Sequence, residues 1–260
     1  GAAYATVISQ GVAAVLCFIV MFKKHDILRT GREDYYWDNQ GILRMLSIGI
    51  PMALNYSITA IGTMILQSAI NVFGSGTVAA FTAASKVSNI ATQTFPTLGT
   101  AMATYCGQNL GAGKYKRITQ GMRQSFYLCF VAAALAALIC CCAGPFMVSW
   151  FISNPSAETM NAAMQYLYTI SAFMIPLGWI FIYRNGLQGL DRGFLPMLSG
   201  VVELVSRYVV ILIAAKPYGY LGVCFADPAA WLVTGIMLLI AYLAWKHQMS
   251  EHIKACEEEI

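Results

Sequence analysis

Seven long apolar stretches separated by short polar gaps set the plan of this chain. They cover residues 1–22, 47–73, 77–105, 126–151, 164–183, 195–215 and 220–245. Each is near or above the ~20 residues that a helix needs to cross the hydrocarbon core of a bilayer. The pattern predicts an all-α fold: a polytopic membrane helix bundle with seven transmembrane helices.

The gaps are mostly short. "GSG" at 74–76, "SNPSAE" at 153–158 and "AKPYGY" at 215–220 fall on one side, and "GQNLGAGKYKRIT" and "RNGLQGLDRG" on the other. Their Gly, Asn and Pro content is turn chemistry. The longest polar stretch, 23–46, mixes both charge signs with Tyr35, Tyr36 and Trp37. Such aromatics sit at headgroup level, so this stretch reads as a linker that is partly an interfacial amphipathic helix. Every stretch from the second onward contains or borders a proline. Most mark helix ends. Pro96 and Pro176 lie well inside their stretches and would permit those helices to bend during a conformational cycle.

Charge orients the bundle. Of the sixteen Lys and Arg residues, thirteen fall in gaps on one side; Lys216 alone is on the other, and Lys86 and Arg207 lie within spans. The positive-inside rule makes the rich side cytoplasmic, which puts the C-terminus inside. Composition agrees: 58% of residues are hydrophobic and 11% charged. A soluble domain carries about 25% charge. The net charge of +4 is therefore an orientation signal. No basic stretch is interleaved with stacking aromatics, so no nucleic-acid partner is expected. The chain begins at Gly1 inside an apolar run with no basic n-region or cleavage site, a pattern expected of a fragment rather than of a signal peptide.

Polar residues inside the spans carry the candidate chemistry. Asn55, Thr59, Thr63, Gln67 and Asn71 recur every four residues, which places them on one slowly drifting helical stripe. The next span repeats the theme with Thr82, Lys86, Asn89, Gln93, Thr97 and Thr100. Such stripes are either interhelical hydrogen-bonding glue or the wall of a polar cavity, and two adjacent striped helices favour the cavity. Four ionisable residues lie within spans: Lys86, Glu203, Arg207 and Asp227. Their formal charges cancel, and Glu203 and Arg207 share a helix face. Arg207 is expected to pair with Glu203 and Asp227, and Lys86 to join them. The network is either a static packing device or a coupling site for a proton or cation.

Other chemistry is thinly supported. None of the eight cysteines forms C-x-x-C, and three consecutive ones at 140–142 point about 100° apart, so no metal site is expected. His25, His247 and His252 lie in polar stretches outside the spans. No HExxH, GxSxG or Walker-type glycine loop is present, so neither an enzyme nor an ATP-driven pump is indicated, and no cofactor is expected.

These segments, taken in order, resemble the multidrug and toxin extrusion (MATE) family of secondary transporters. "GAAYATVISQ" resembles that family's sixth helix and "IGIPMALNYSITAIGTMILQSAINVFG" its seventh. "YCGQNLGAGKYKRI" resembles the loop after the eighth helix and "RNGLQGLDR" the loop after the tenth. "GVVELVSRYVV" and "FADPAAWL" resemble the last two helices of a bacterial subgroup. The resemblance implies twelve helices in two six-helix lobes, of which this chain supplies the second. Residues 1–22 would be the last helix of the N-terminal lobe, 23–46 a cytoplasmic interlobe linker, 47–245 the C-terminal six-helix lobe and 246–260 a cytoplasmic tail. It also implies export of organic, often cationic, compounds from a bacterial inner membrane in exchange for H⁺ or Na⁺. The partners would then be membrane lipid, small organic substrates and the N-terminal lobe of the same protein. Asn55, Thr59, Thr63, Gln67, Asn71, Asn89 and Gln93 would line the substrate cavity. One departure stands out. Members with a Na⁺ site in this lobe use carboxylates on the seventh and tenth helices, and neither stretch here offers one at the matching place; the proton site of other members lies in the other lobe. A lipid-linked oligosaccharide flippase of the same superfamily is the alternative. A membrane-embedded enzyme or a receptor-like seven-helix protein fits less well.

Overall fold

A computed structural model describes residues 2–24, 31 and 36–258. The chain divides into two compact units, Gly1–Arg44 and Met45–Ile260. The first contains helix α1, Ala2–Lys24. Residues 25–30 and 32–35, and with them much of the expected linker including His25 and Tyr35, lie outside the described residues. Its far end is the start of helix α2, Asn39–Asn71. Asp38 caps that helix: its Oδ1 accepts from the Gln40 N–H at 3.0 Å, satisfying an amide the helix cannot. The end of the linker, expected to be interfacial, is thus continuous with the second span.

The second unit holds the rest of α2 and helices α3 (Ser75–Thr92), α4 (Thr94–Gly111), α5 (Tyr115–Leu138), α6 (Gly144–Ser149), α7 (Ala157–Ser171), α8 (Met174–Gly189), α9 (Phe194–Cys224) and α10 (Ala226–Glu258). Described residues form no strand. Among the described residues five helical stretches are long and apolar enough to cross a membrane, and α7 with α8, bent by 54°, makes a sixth if the pair is one span. The remaining stretch, 77–105, is α3 plus α4. Its polar stripe keeps it below the apolarity of the other spans. It is shielded instead by protein: α3 packs on α7, and α4 on α8.

The breaks have local causes. Pro96 and Pro176 are each the third residue of their helix, α4 and α8, and the helix is interrupted just before each, at Gln93 and, with the 54° bend, at residues 172–173. A proline ring clashes with the carbonyl four residues back, here of Thr92 and Ala172, so the break falls there. Pro145 is accommodated differently. The π-helical turn Ile139–Ala143 precedes it and joins α5 to α6.

The last hairpin forms where the loop 215–220 was expected. The chain leaves helical geometry at Gly219, whose φ of 56° suits only a residue without Cβ, and turns back, so that Gly222 packs against Ala214 before the helical run ends at Cys224. A break at Phe225 precedes α10. Asp227 is therefore in the first turn of α10, where the helix N-terminus favours negative charge.

The core of the second unit is made of small and flexible side chains. Ala80, Ala83, Ala84, Ala133, Ala136 and Ala163 are buried alongside Met102, Met122, Met164 and Met174. Small residues let helices approach where lipid supplies no hydrophobic drive for association. Cys106, Cys129, Cys140 and Cys224 are free thiols buried in the same core and behave as small apolar packers.

Candidate functional site

Two arrangements meet in the second unit. The first is an ion network across α8, α9 and α10. Glu203 and Arg207 are one turn apart on the same face of α9, and Arg207 Nη2 donates to Glu203 Oε1 at 3.1 Å. Arg207 Nε donates to Asp227 Oδ1 at 2.7 Å. The turn at Gly219 folds the chain back so that the Asp227 carboxylate lies level with Arg207. The Tyr166 hydroxyl of α7 approaches the other Asp227 oxygen at 3.4 Å.

The fourth member is Arg184, which the sequence reading counted among the loop cations. It lies inside α8, half-buried, with Nη2 donating to Glu203 Oε2 at 2.8 Å and Nε to Ser199 Oγ at 3.0 Å. Two cations and two carboxylates thus alternate and cancel. The signal that could have found Arg184 is its place next to Tyr183, the last residue of an apolar stretch, because α8 continues two turns beyond the point where hydropathy falls.

Lys86 does not join this network, contrary to expectation. Among the described residues it forms no ion pair; its Nζ sits 5.1 Å from the centroid of the Phe151 ring. The side chain is exposed at the edge of the α3 stripe, where its charge is met by an aromatic face rather than a carboxylate.

The network is sealed on one side by α2. A Cβ added at Gly62 would overlap Arg207 Nη1, so a larger residue would displace the guanidinium. Arg207 is 3% exposed, and Nη1 is buried without a hydrogen-bond partner. Nearby, Asn55 of α2 donates to the Pro196 carbonyl at 2.6 Å against Gly200 of α9.

The second arrangement is a cavity of about 480 Å³ on which the network opens. Thr59, Thr63 and Gln67 of α2 line it, together with Ser85, Ser88, Asn89, Thr92 and Gln93 of α3 and its end. Glu203, Arg207 and Asp227 form another part of its wall, with Tyr166, Phe181 and Trp231. The ends of the α2 stripe are not in the cavity. A four-residue step turns a helix by about 40° beyond a full turn, so Asn55 and Asn71 point about 160° apart. Asn55 is spent on the α9 contact. Asn71 lies on the exposed end and accepts from Gln67 Nε2 at 3.3 Å. Ser85, Ser88 and Thr92 are the lining residues that the sequence reading missed. They lie on the same face as Asn89 and Gln93 but are small enough to read as ordinary helix-packing residues.

The wall has a polarity. Thr59 and Thr63 spend their hydroxyl protons on the carbonyls of Asn55 and Ala60, and Thr92 spends its proton on that of Ser88. Gln67 spends an amide proton on Asn71. What these groups offer to the cavity is mainly acceptor lone pairs.

Comparison with known proteins decides the family. A family model for MatE matches residues 51–213. The chain belongs to the MATE family. It is 28% identical over 210 residues to "Probable multidrug resistance protein YpnP" of Bacillus subtilis, covering 81% of this chain and 46% of that protein. It is 25% identical over 266 residues to the "FAD transporter" of Shewanella oneidensis, covering 98% of this chain and 55% of that protein. Among solved structures, the outward-facing conformation of a multidrug resistance MATE family transporter superposes with a TM-score of 0.83 at 19% identity, over 98% of this chain and 57% of the other. That likeness establishes the fold: a multi-pass helical membrane bundle. The chain spans about half the length of the curated relatives it matches.

Proposed function

We propose that this MATE chain forms the C-terminal lobe of a secondary active exporter that carries small organic compounds out of the cell in exchange for H⁺ or Na⁺. In this reading residues 1–22 close the preceding lobe and 47–245 form one of two bundles that rock about a central cavity. A lobe supplied outside this chain completes the binding site. The membrane is the bacterial inner membrane, with the basic gaps and the C-terminus in the cytoplasm, as the positive-inside rule and the bacterial relatives suggest.

The carrying observation is the cavity itself: polar stripes from two helices facing a buried, charge-balanced network that ends in Asp227. Asp227 is the coupling residue of choice. It pairs with one guanidinium and a distant tyrosine hydroxyl, whereas Glu203 is held by two arginines. An arriving proton or cation would compete with Arg207 for the Asp227 carboxylate and loosen α9 from α10. The acceptors left by Thr59, Thr63, Thr92 and Gln67, with the Glu203 and Asp227 carboxylates, suit substrates that donate hydrogen bonds or carry positive charge. The flippase reading has less support. A pyrophosphate needs unpaired cations in the cavity, whereas both arginines of the network are held by carboxylates and Lys86 is not among the lining residues.

The test is drug accumulation in cells expressing the protein that carries this chain, under imposed pH or Na⁺ gradients. Export of a cationic dye that follows one gradient supports the reading. Gradient-independent accumulation equal to that of vector controls would refute it.

A further inference from the structure

A second, separate pocket of about 540 Å³ opens between α5, α8 and α10, at the end of the bundle where the basic gaps lie. Its cations come from two helices. Lys116 and Arg123 are seven residues apart on one face of α5, and Lys246 follows the apolar part of α10. All three are exposed and, among the described residues, none forms an ion pair; no Asp or Glu lines the pocket. Unbalanced positive charge at a concave site is a demand for an anion.

Beside the cations, Thr119 and Gln120 add polar groups, and the remaining lining is apolar or aromatic. Met122 and Phe126 form its floor, and Phe126 stacks on Trp179 with centroids 5.5 Å apart. Tyr183 and Tyr242 form a wall, 5.4 Å apart, and Trp245 extends the row at 6.0 Å from Tyr242. These three rings are buried and form a rigid back to the pocket. Along α5, the distance from Lys116 to Phe126 is about 15 Å at the helical rise. Over that span the lining begins with Lys116 and polar Thr119 and Gln120 and ends at Phe126, one turn beyond Arg123, so cations and apolar surface lie within one headgroup's reach.

We propose that this pocket binds the headgroup of an anionic phospholipid from the facing leaflet. The phosphodiester sits among Lys116, Arg123 and Lys246, and an acyl chain lies over Phe126 and Trp179. A basic pocket between spans on this side of a membrane is the physical form such sites take. A soluble anion would use the cations but not the floor, and the floor decides for the lipid. The site is separate from the polar cavity and does not depend on what that cavity carries.

Native mass spectrometry of the detergent-purified protein tests this, with phosphatidylglycerol, phosphatidylcholine and inorganic phosphate added in turn. Phosphatidylglycerol is expected to be retained in preference to phosphatidylcholine, and not to be displaced by millimolar phosphate. Lys116→Gln with Arg123→Gln should weaken phosphatidylglycerol retention about 25-fold, about fivefold per charge, and leave phosphatidylcholine unchanged. Lys114→Gln, which removes a charge outside the pocket, should have no such effect, and Arg123→Lys should retain binding. Helical circular dichroism checks that the variants fold. If the double variant does not, Arg123→Gln against Arg123→Lys gives the same reading. Equal retention by wild type and charge-removed variants, or displacement of the lipid by phosphate alone, overturns the proposal.

Discussion

Arg207 and Asp227 lie 2.7 Å apart, Nε to Oδ1, on either side of the turn at Gly219 that folds the chain back on itself. A buried guanidinium is tolerable in a membrane bundle only while it is paired, so the contact makes each partner dependent on the other. Removing one member leaves an uncompensated charge. Arg207→Ala is expected to cost about 3–5 kcal/mol, and Arg207→Ala combined with Asp227→Asn distinctly less. Thermal unfolding in detergent measures both. A double variant as unstable as the single one would show that the guanidinium acts through packing rather than charge.

Arg184→Ala should be milder than Arg207→Ala, by about 1–3 kcal/mol of destabilisation. Arg184 is more exposed, and Glu203 retains Arg207 when Arg184 is gone. The same unfolding assay ranks the two. The reverse order would mean that Glu203, rather than Asp227, is the carboxylate that most needs its cation.

Gly62 gives a steric test. Its missing Cβ leaves the space that Arg207 Nη1 occupies, so Gly62→Ala should destabilise by about 1–3 kcal/mol, the range seen for overpacked cores. Gly11→Ala, where a Cβ meets nothing within 4 Å, is the neutral comparison and should move the midpoint little. Equal midpoints for both variants would contradict the close approach of α2 to α9.

Much of this fold was legible because apolar length and loop charge are dictated by the bilayer. The stretches at 126–151 and 195–215 became helices where hydropathy placed them, and the breaks near Pro96 and Pro176 followed from a clash that any sequence with those prolines must resolve. Other features depended on three-dimensional facts. The pairing of Arg207 with Asp227 across the turn at 215–220 was legible, whereas the break at Phe225 that puts Asp227 in the first turn of α10 was not. Arg184 read as a loop residue because hydropathy falls before α8 ends. Lys86 was expected in the network because charges within spans need partners; an aromatic ring met that need instead. The α2 stripe was read as one face, but its drift of about 160° from Asn55 to Asn71 leaves only its middle in the cavity.

Orientation has its own test. Cysteines placed singly at 114 and at 216, in a background without the native cysteines, should be labelled from opposite sides of intact cells. Position 216 is expected to react with an impermeant maleimide and position 114 only after permeabilisation. Labelling of position 114 from outside would reverse the proposed topology and with it the direction of transport.

The central claim is that Asp227 couples an ion gradient to export, and it is tested most directly by transport with a folded Asp227→Asn variant. This change removes the charge but keeps the shape, and Asn can still accept from Arg207. In proteoliposomes containing the protein that carries this chain, the account predicts that Asp227→Asn assembles, still binds a cationic dye, and loses at least about tenfold of the gradient-driven rate, in line with the loss of an interaction worth more than 1.4 kcal/mol. Wild-type rates under the same gradient in a folded Asp227→Asn protein would contradict it and leave the network as a packing device.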